Sequence, residues 1–185
     1  MNPVCGLYDP ADERDSCGVG MVIRIDGSAS HGIVDSGLKV LENLAHRGAE
    51  NADGCTGDGS GITIQIPHDF ILKCGMDVPE AGRYGTGLLF LPKEDSRSEG
   101  CLSIFRQEAK ALGLKVIGER DVPVDHNVPG PLALETEPRI VQMFLSSYDS
   151  QETLEKKLYL LRKHTEKKVQ DDEFYICSLS TKTIV

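Results

Sequence analysis

Short runs of apolar and β-branched residues predict a series of β-strands along the chain. Residues 21–25 read Met-Val-Ile-Arg-Ile, which is apolar enough for a strand inside a sheet. Residues 62–66 alternate between isoleucine and polar side chains, which is typical of a strand with one buried face. Further strands are predicted at residues 85–91, 115–124 (with a bend), 140–145 and 174–180.

A three-to-four-residue spacing of apolar side chains predicts three longer helices. The first ends near residue 46, and its apolar face consists of Val34, Leu38, Leu41 and Ala45. The others span about residues 95–112 and 151–169, and the last has acids early and bases late, as the helix dipole prefers. Shorter helices are predicted near residues 67–74 and 129–137. Helices and strands mixed in this way indicate an α/β or α+β domain.

The charge and length of the chain exclude several classes of protein. With 185 residues there is enough chain for one domain with a real core. The formal net charge is -9, which disfavours nonspecific binding to nucleic acid or to an anionic membrane. No run approaches the roughly 18 apolar residues of a membrane helix. Four acids near the N-terminus stand where an export signal would be apolar, so a cytoplasmic protein is expected.

Six cysteines are spread along the chain at positions 5, 17, 55, 74, 101 and 177. No two form a Cys-x-x-Cys pair, and no histidine stands at zinc-ligand spacing from them. A disulfide framework is not expected in a reducing compartment, and a redox or metal-binding function lacks support from the spacing. No metal site is therefore predicted, and most of the cysteines are expected to pack as small apolar residues.

Cys17 is the cysteine whose surroundings suggest chemistry. It follows a leader, residues 1–16, that is rich in acids and prolines, and it precedes the predicted strand 21–25. Gly18 and Gly20 carry no Cβ, so a backbone or a substrate can approach closely there. The thiol taken alone fits a buried packing residue at least as well as a nucleophile.

A long loop rich in glycine and aspartate, residues 46–61, follows the first helix. Loops of this length without periodicity are usually functional or disordered. Phosphate binding is excluded as its role, because no Gly-Lys-Ser/Thr sequence is present and the local acids repel anions.

Several motifs, in order along the chain, resemble the class II glutamine amidotransferase (glutaminase) domain at the start of the glutamate synthase large subunit. They read Tyr-Asp-Pro at 8–10, Glu-Arg-Asp-Ser-Cys-Gly-Val-Gly at 13–20, His-Arg-Gly-Ala at 46–49, Thr-Gly-Asp-Gly-Ser-Gly at 56–61, Gly-Glu-Arg-Asp-Val-Pro at 118–123, Pro-Arg-Ile at 138–140 and Phe-Tyr-Ile-Cys-Ser-Leu-Ser at 174–180. The resemblance covers nearly the whole chain. Each motif is weak by itself, and the ordered series is strong.

The resemblance implies an α+β fold, a four-layer αββα sandwich of the N-terminal-nucleophile (Ntn) hydrolases. It implies that residues 1–16 are a propeptide and that residues 17–185 are the N-terminal part of the amidotransferase domain. Cys17 would then begin the mature chain as the catalytic nucleophile, with its own α-amino group as the base. Glutamine would be split into glutamate and ammonia through a γ-glutamyl thioester.

The resemblance also implies a set of substrate-binding residues. In the family, the arginine of the His-Arg-Gly motif holds the α-carboxylate of glutamine, which assigns that role to Arg47. Gly48 would allow close approach of the substrate, and Asp58 and Gly59 would shape the pocket. His46 is expected to be structural, because an adjacent residue points elsewhere on a helix.

Two features of the family are not found in this sequence. In the family, an Asn-Gly pair that follows the last strand predicted here supplies the oxyanion hole. This chain is therefore expected to be incomplete at its C-terminal end and inactive alone. The flavin (FMN) and iron-sulfur cluster of the synthase are expected elsewhere, with none in this chain.

The partners that follow from the resemblance are glutamine and the synthase domain or subunit. A non-catalytic amidotransferase-like module with an assembly or regulatory role is the alternative function. The apolar end at Val185 predicts an exposed sheet edge and possible homo-oligomers through it.

Overall fold

The computed structural model describes residues 18–49, 53–57 and 59–185. The chain divides into two compact units, Met1–Ser60 and Gly61–Val185. Each unit has its own architecture, and the second contains both β-sheets and the main hydrophobic core.

The first unit is built around one amphipathic helix. Helix α1 spans His31–Asn43, and a 3₁₀ turn follows at Ala45–Arg47. Ser30 occupies the N-cap in an extended conformation, but its side chain makes no capping hydrogen bond. The predicted helix is confirmed. No residue of α1 is fully buried, so its apolar face is only partly covered.

The predicted strand at residues 21–25 is wrong. This segment is irregular, and Met21 and Ile25 are 84% and 103% exposed. The chain then turns where Asp26 accepts hydrogen bonds from the backbone N–H and the hydroxyl of Ser28. An apolar sequence forms a strand only where a neighbouring strand satisfies its backbone groups. Within residues 18–49, 53–57 and 59–185, no strand pairs with this segment.

The second unit alternates strands and helices. A four-stranded antiparallel sheet has the order β3-β4-β2-β5, and β1 and β6 form a separate antiparallel pair. The elements are β1 (Ile64–Gln65), α2 (His68–Lys73), β2 (Tyr84–Leu91), α3 (Asp95–Ala111), β3 (Lys115–Asp121), α4 (Pro131–Glu135), β4 (Arg139–Ser146), α5 (Gln151–Lys168), β5 (Tyr175–Ile176) and β6 (Thr183–Ile184). These antiparallel sheets and helices confirm the predicted α+β class.

The main core lies between one face of the four-stranded sheet and helices α3 and α5. Alternate residues of β2 and β4 point into it, so that Leu89 stands opposite Val141 in the register. Helix α5 contributes a row of four buried residues that are spaced three or four positions apart along the helix: Leu154, Leu158, Leu161 and Thr165. Its first turn is capped by Ser150, whose hydroxyl accepts a hydrogen bond from the Thr153 N–H at 3.3 Å.

The opposite face of the sheet carries a smaller cluster. Tyr84 and Phe144 stack at 6.4 Å between ring centroids and pack with Ile71 of α2. This cluster gives α2 its place in the unit, although the helix has only six residues. A helix this short is marginal by itself in water, so its stability comes from the tertiary contact.

Two predicted strands are shorter in the structure. The strand predicted at 62–66 is confined to β1, and the one predicted at 174–180 is confined to β5. Beyond β5 the backbone of Ser178 and Leu179 crosses over Gly87 of β2, which takes it out of the regular ladder. Pairing resumes as a single bridge between Ser180 and Thr86.

The expectation of an unpaired end at Val185 also needs correction. Strand β6 pairs with β1, so that Ile184 stands opposite Ile64. The apolar end is thus hydrogen-bonded to a neighbour on one side. Assembly through a sheet edge stays a prediction.

Candidate active site around Arg47

Arg47 lies at the end of the 3₁₀ turn that follows helix α1. The turn is closed by hydrogen bonds from the Arg47 N–H to Leu44 O at 2.8 Å and from the Gly48 N–H to Ala45 O at 3.1 Å. Gly48 then has φ -82° and ψ 153°, an extended conformation that leads the chain away from the helix. Both residues are exposed, so the predicted substrate-binding arginine is accessible to solvent.

The Arg47 guanidinium forms no ion pair with any described carboxylate. Other arginines differ, since Arg24 of the same unit is paired with Asp26 at 3.0 Å. A planar guanidinium matches the geometry of a carboxylate, so Arg47 is of the right chemical type to bind one. The local chemistry therefore suits the role predicted for this residue.

Gly18 packs against the side chain of Arg47. A Cβ built on Gly18 would lie 3.4 Å from both Cβ and Cγ of Arg47 and 3.3 Å from Cδ2 of Leu44. The aliphatic stem of the arginine thus runs beside the residue that follows Cys17 in the sequence. Cys17 itself, and Asp58, lie outside the described residues.

The glycine-rich loop is organised by a local turn at Asp53. Its carboxylate accepts hydrogen bonds from the N–H groups of Cys55 and Thr56, at 3.1 and 2.9 Å, and from the Thr56 hydroxyl at 2.6 Å. These hydrogen bonds lower the pKa of Asp53 below its usual range, and the bond from the Thr56 hydroxyl has the largest effect. The result is a fixed turn just before the predicted pocket residues.

The same loop returns to the chain that follows Arg47. A Cβ on Gly57 would lie 3.1 Å from the carbonyl oxygen of Ala49, so this glycine permits a close approach of two backbone segments. Gly59 is exposed, and among the described residues beyond its chain neighbours none has a heavy atom within 4 Å of a Cβ built on it. The structure therefore brings Gly57 of the loop near Ala49.

Sequence reasoning missed two features of this region. The first is the turn at Asp53, which the spacing of aspartate and threonine over four residues could have indicated. The second is the contact between residues 18–20 and helix α1, which no local pattern signals. His46, predicted to be structural, has its Nδ1 3.0 Å from the carbonyl oxygen of Asn43 at the helix end.

Neither a cluster of metal-ligating side chains nor a membrane-spanning helix is found in the described part of the chain. In that part of the chain, no group of three or more His, Cys, Asp or Glu side chains is arranged to hold a metal ion. None of the helices in residues 18–49, 53–57 and 59–185 combines the length and apolar character of a membrane span. Cys101 is buried, and burial raises the pKa of its thiol.

Comparison with known protein families identifies the chain. The family model of the class II glutamine amidotransferases matches residues 17–185, which is nearly the whole sequence. The chain belongs to the class II glutamine amidotransferase family. The match begins at Cys17, the residue that the sequence motifs indicate as the nucleophile.

Individual relatives of this amidotransferase are glutamate synthases. The chain is 40% identical over 197 residues to glutamate synthase [NADH] of Saccharomyces cerevisiae, covering 97% of this chain and 9% of that protein. It is 37% identical over 188 residues to the glutamate synthase [NADPH] large chain of Azospirillum brasilense, covering 96% of this chain and 12% of that protein. The resemblance stated from the motifs is confirmed.

A plant relative gives the same result. The chain is 37% identical over 192 residues to ferredoxin-dependent glutamate synthase 1, chloroplastic/mitochondrial, of Arabidopsis thaliana, with 98% of this chain and 12% of that protein covered. The chain therefore spans about a tenth of the length of these relatives. The rest of their length has no counterpart in this chain.

Proposed function

We propose that this chain is the glutaminase domain of a glutamate synthase and that it hydrolyses glutamine to glutamate and ammonia. Residues 1–16 are removed, and Cys17 becomes the N-terminal nucleophile. The observation that carries the proposal is the packing of Gly18 on the stem of Arg47. Gly18 follows Cys17 in the sequence, so this contact supports a role for Cys17 and Arg47 on the same glutamine molecule. The start of the family match at residue 17 supports the same boundary.

The chemistry follows from the pKa of a free α-amino group, which is about 8 and therefore suits proton transfer near neutral pH. The Cys17 thiol gives its proton to this amine, and the sulfur attacks the side-chain amide carbon of glutamine. The C–N bond then breaks, and the ammonium group of Cys17 gives its proton to the departing amide nitrogen, which leaves as ammonia. Water attacks the γ-glutamyl thioester in turn, which releases glutamate and restores the thiol.

Substrate binding is assigned to the residues that the motifs indicated. Arg47 pairs with the α-carboxylate of glutamine through the two parallel N–H groups of its guanidinium fork. The wall of the glutamine pocket next to Arg47 is formed by Gly48, Asp58 and Gly59. The two glycines have no side chains, which leaves room for the substrate. The ordered turn at Asp53 holds this wall in place through its hydrogen bonds to Thr56.

The ammonia is delivered to a synthase part that lies outside this stretch of sequence. That part would hold the FMN and the iron-sulfur cluster, since the relatives are named for NADH, NADPH or ferredoxin and are much longer than this chain. The described residues of this chain bear on glutamine binding and on the thiol chemistry.

The proposal is tested on the purified natural protein by intact-mass analysis and a glutaminase assay. Active protein should begin at Cys17, and Cys17→Ser should abolish ammonia release. Cys74→Ser, which changes an exposed cysteine outside the site, should leave the activity unchanged. Turnover with residue 16 still attached would overturn the mechanism. A processed protein that neither hydrolyses glutamine nor reacts with a thiol-alkylating glutamine analogue would favour the non-catalytic module.

A further inference from the structure

Residues 18–20 lie along helix α1 in a fixed register. A Cβ on Gly20 would be 2.2 Å from Cγ1 of Val40, closer than two carbon atoms can approach, and Gly18 lies over Leu44 and Arg47. Gly20 thus meets Val40 and Gly18 meets Leu44, so the segment runs beside helix α1 in the opposite direction.

We infer that Val40 is a positioning residue for the nucleophile, a role that rests on the function proposed above. Val40 fills the space that a side chain at position 20 would need, and its β-branched side chain is stiff, so a Cβ there would displace the segment or Val40. If the segment moved by one position, Val19 or Met21 would meet Val40 instead. The Gly20–Val40 contact therefore sets where residues 18–20 lie along helix α1, whose end leads into the turn that contains Arg47.

This register affects catalysis because glutamine has a fixed length. Its α-carboxylate is held at one end, and its amide carbon must come within about 3–3.5 Å of the thiol at the other. A misplacement of about 1 Å can cost on the order of 100-fold in rate. A Cβ at position 20 would have to retreat from 2.2 Å to an ordinary contact near 3.4 Å, which is a shift of about 1.2 Å.

The test combines Gly20→Ala with Val40→Ala. Gly20→Ala should lower kcat for glutamine hydrolysis by about 100-fold. Its KM should change little, because Arg47 is intact. Val40→Ala removes the clashing Cγ1 and leaves its own Cβ 3.5 Å from the new one, an ordinary contact. The double variant should therefore recover most of the lost kcat.

Controls separate a shift in position from a loss of folding. The rate is expressed per molecule that a thiol-alkylating glutamine analogue labels at Cys17, located by mass spectrometry, so unfolded or unprocessed molecules are not counted. Gly37→Ala is the matched control, since it lies in α1 and a Cβ there meets nothing within 4 Å. It should leave kcat unchanged.

The outcomes for the two proposals are distinct. Hydrolysis by the Cys17→Ser variant would reject the glutaminase mechanism itself. If that variant is inactive, a wild-type kcat in Gly20→Ala would overturn the positioning role of Val40 alone. A double variant as slow as Gly20→Ala, measured per molecule labelled at Cys17, would also overturn it.

Discussion

The carboxylate of Glu155 holds Thr181 by two hydrogen bonds. The Thr181 N–H donates to Glu155 Oε2 at 2.7 Å and its hydroxyl donates to the same oxygen at 2.5 Å. The other oxygen, Oε1, accepts from the Ser180 hydroxyl at 2.6 Å. A single side chain of α5 thus fixes the loop that joins β5 to β6, at the place where the chain has just crossed Gly87.

Replacing Glu155 should weaken the fold in a pH-dependent way. Partial burial raises the pKa of Glu155, but the hydrogen bonds from Ser180 and Thr181 outweigh it and bring the pKa below the ordinary 4.5. A carboxylate with a depressed pKa stabilises the folded state above the ordinary value, and this stabilisation is lost as pH falls through the folded-state pKa. Glu155→Gln should therefore cost about 1–2 kcal/mol at pH 7.

The measurement is urea unfolding of both proteins at pH 7 and at pH 3. The difference in unfolding free energy between them should narrow at the lower pH, because below about 4.5 the unfolded protein takes up a proton on Glu155 more readily than the folded protein does. Other acids titrate equally in the two proteins, so the comparison isolates Glu155. If the difference in unfolding free energy stays constant or widens at pH 3, the charge of Glu155 does not stabilise the fold.

Gly87→Ala should disrupt the crossing of the loop over β2. A Cβ at this position would be 1.9 Å from the carbonyl oxygen of Ser178 and 2.9 Å from its carbon, both of which are backbone atoms that cannot rotate away. We expect a loss of about 3 kcal/mol or more in unfolding free energy. Gly100→Ala in α3 is the control, since nothing lies within 4 Å of its Cβ. It should gain about 0.5–1 kcal/mol from helix propensity. Equal stability of the two variants would contradict the crossing.

Thr86 and Gln142 form a buried polar pair across two strands. The Thr86 hydroxyl donates to Met143 O at 2.8 Å and accepts from Gln142 Nε2 at 3.1 Å. Thr86→Val keeps the shape but leaves the amide without its acceptor, which should cost about 1–3 kcal/mol. In a double-mutant cycle, Thr86→Val with Gln142→Leu should cost less than the sum of the single changes, by about 1 kcal/mol. Strict additivity would mean that the pair is not coupled.

Arg47→Lys should affect binding of glutamine more than the chemical step. Lysine keeps the positive charge but replaces the planar fork by a single ammonium group, which cannot bind a carboxylate through two parallel hydrogen bonds. We expect KM for glutamine to rise about 10-fold, which corresponds to about 1.4 kcal/mol, with kcat changed by less than about 3-fold. Arg24→Lys, a change to an exposed arginine paired with Asp26, should leave both constants unchanged. An unaltered KM in Arg47→Lys would remove Arg47 from the binding site.

The helices could be predicted well because their signal is local. In α5, the spacing of Leu154, Leu158 and Leu161 gives both the helix and its buried face, and the structure has all three fully buried. The central strands β2 and β4 were predicted for the same reason, since their apolar runs are continuous. The ordered motifs also carried the family resemblance, because each motif is a short stretch of sequence.

The errors and omissions arose where a distant partner decides the outcome. The strand predicted at residues 21–25 is irregular, because a strand needs a neighbour to accept its backbone hydrogen bonds and the described part of the chain provides none there.

The sequence by itself determined the helices, the central strands, the α+β class and the family. Only the tertiary structure decided that Gly87 lies under Ser178, that Glu155 holds Thr181 and that Gly20 lies on Val40. The physical reason is separation along the chain. Periodicity reports which side of an element is apolar, whereas a contact between residues tens of positions apart depends on how the whole unit packs.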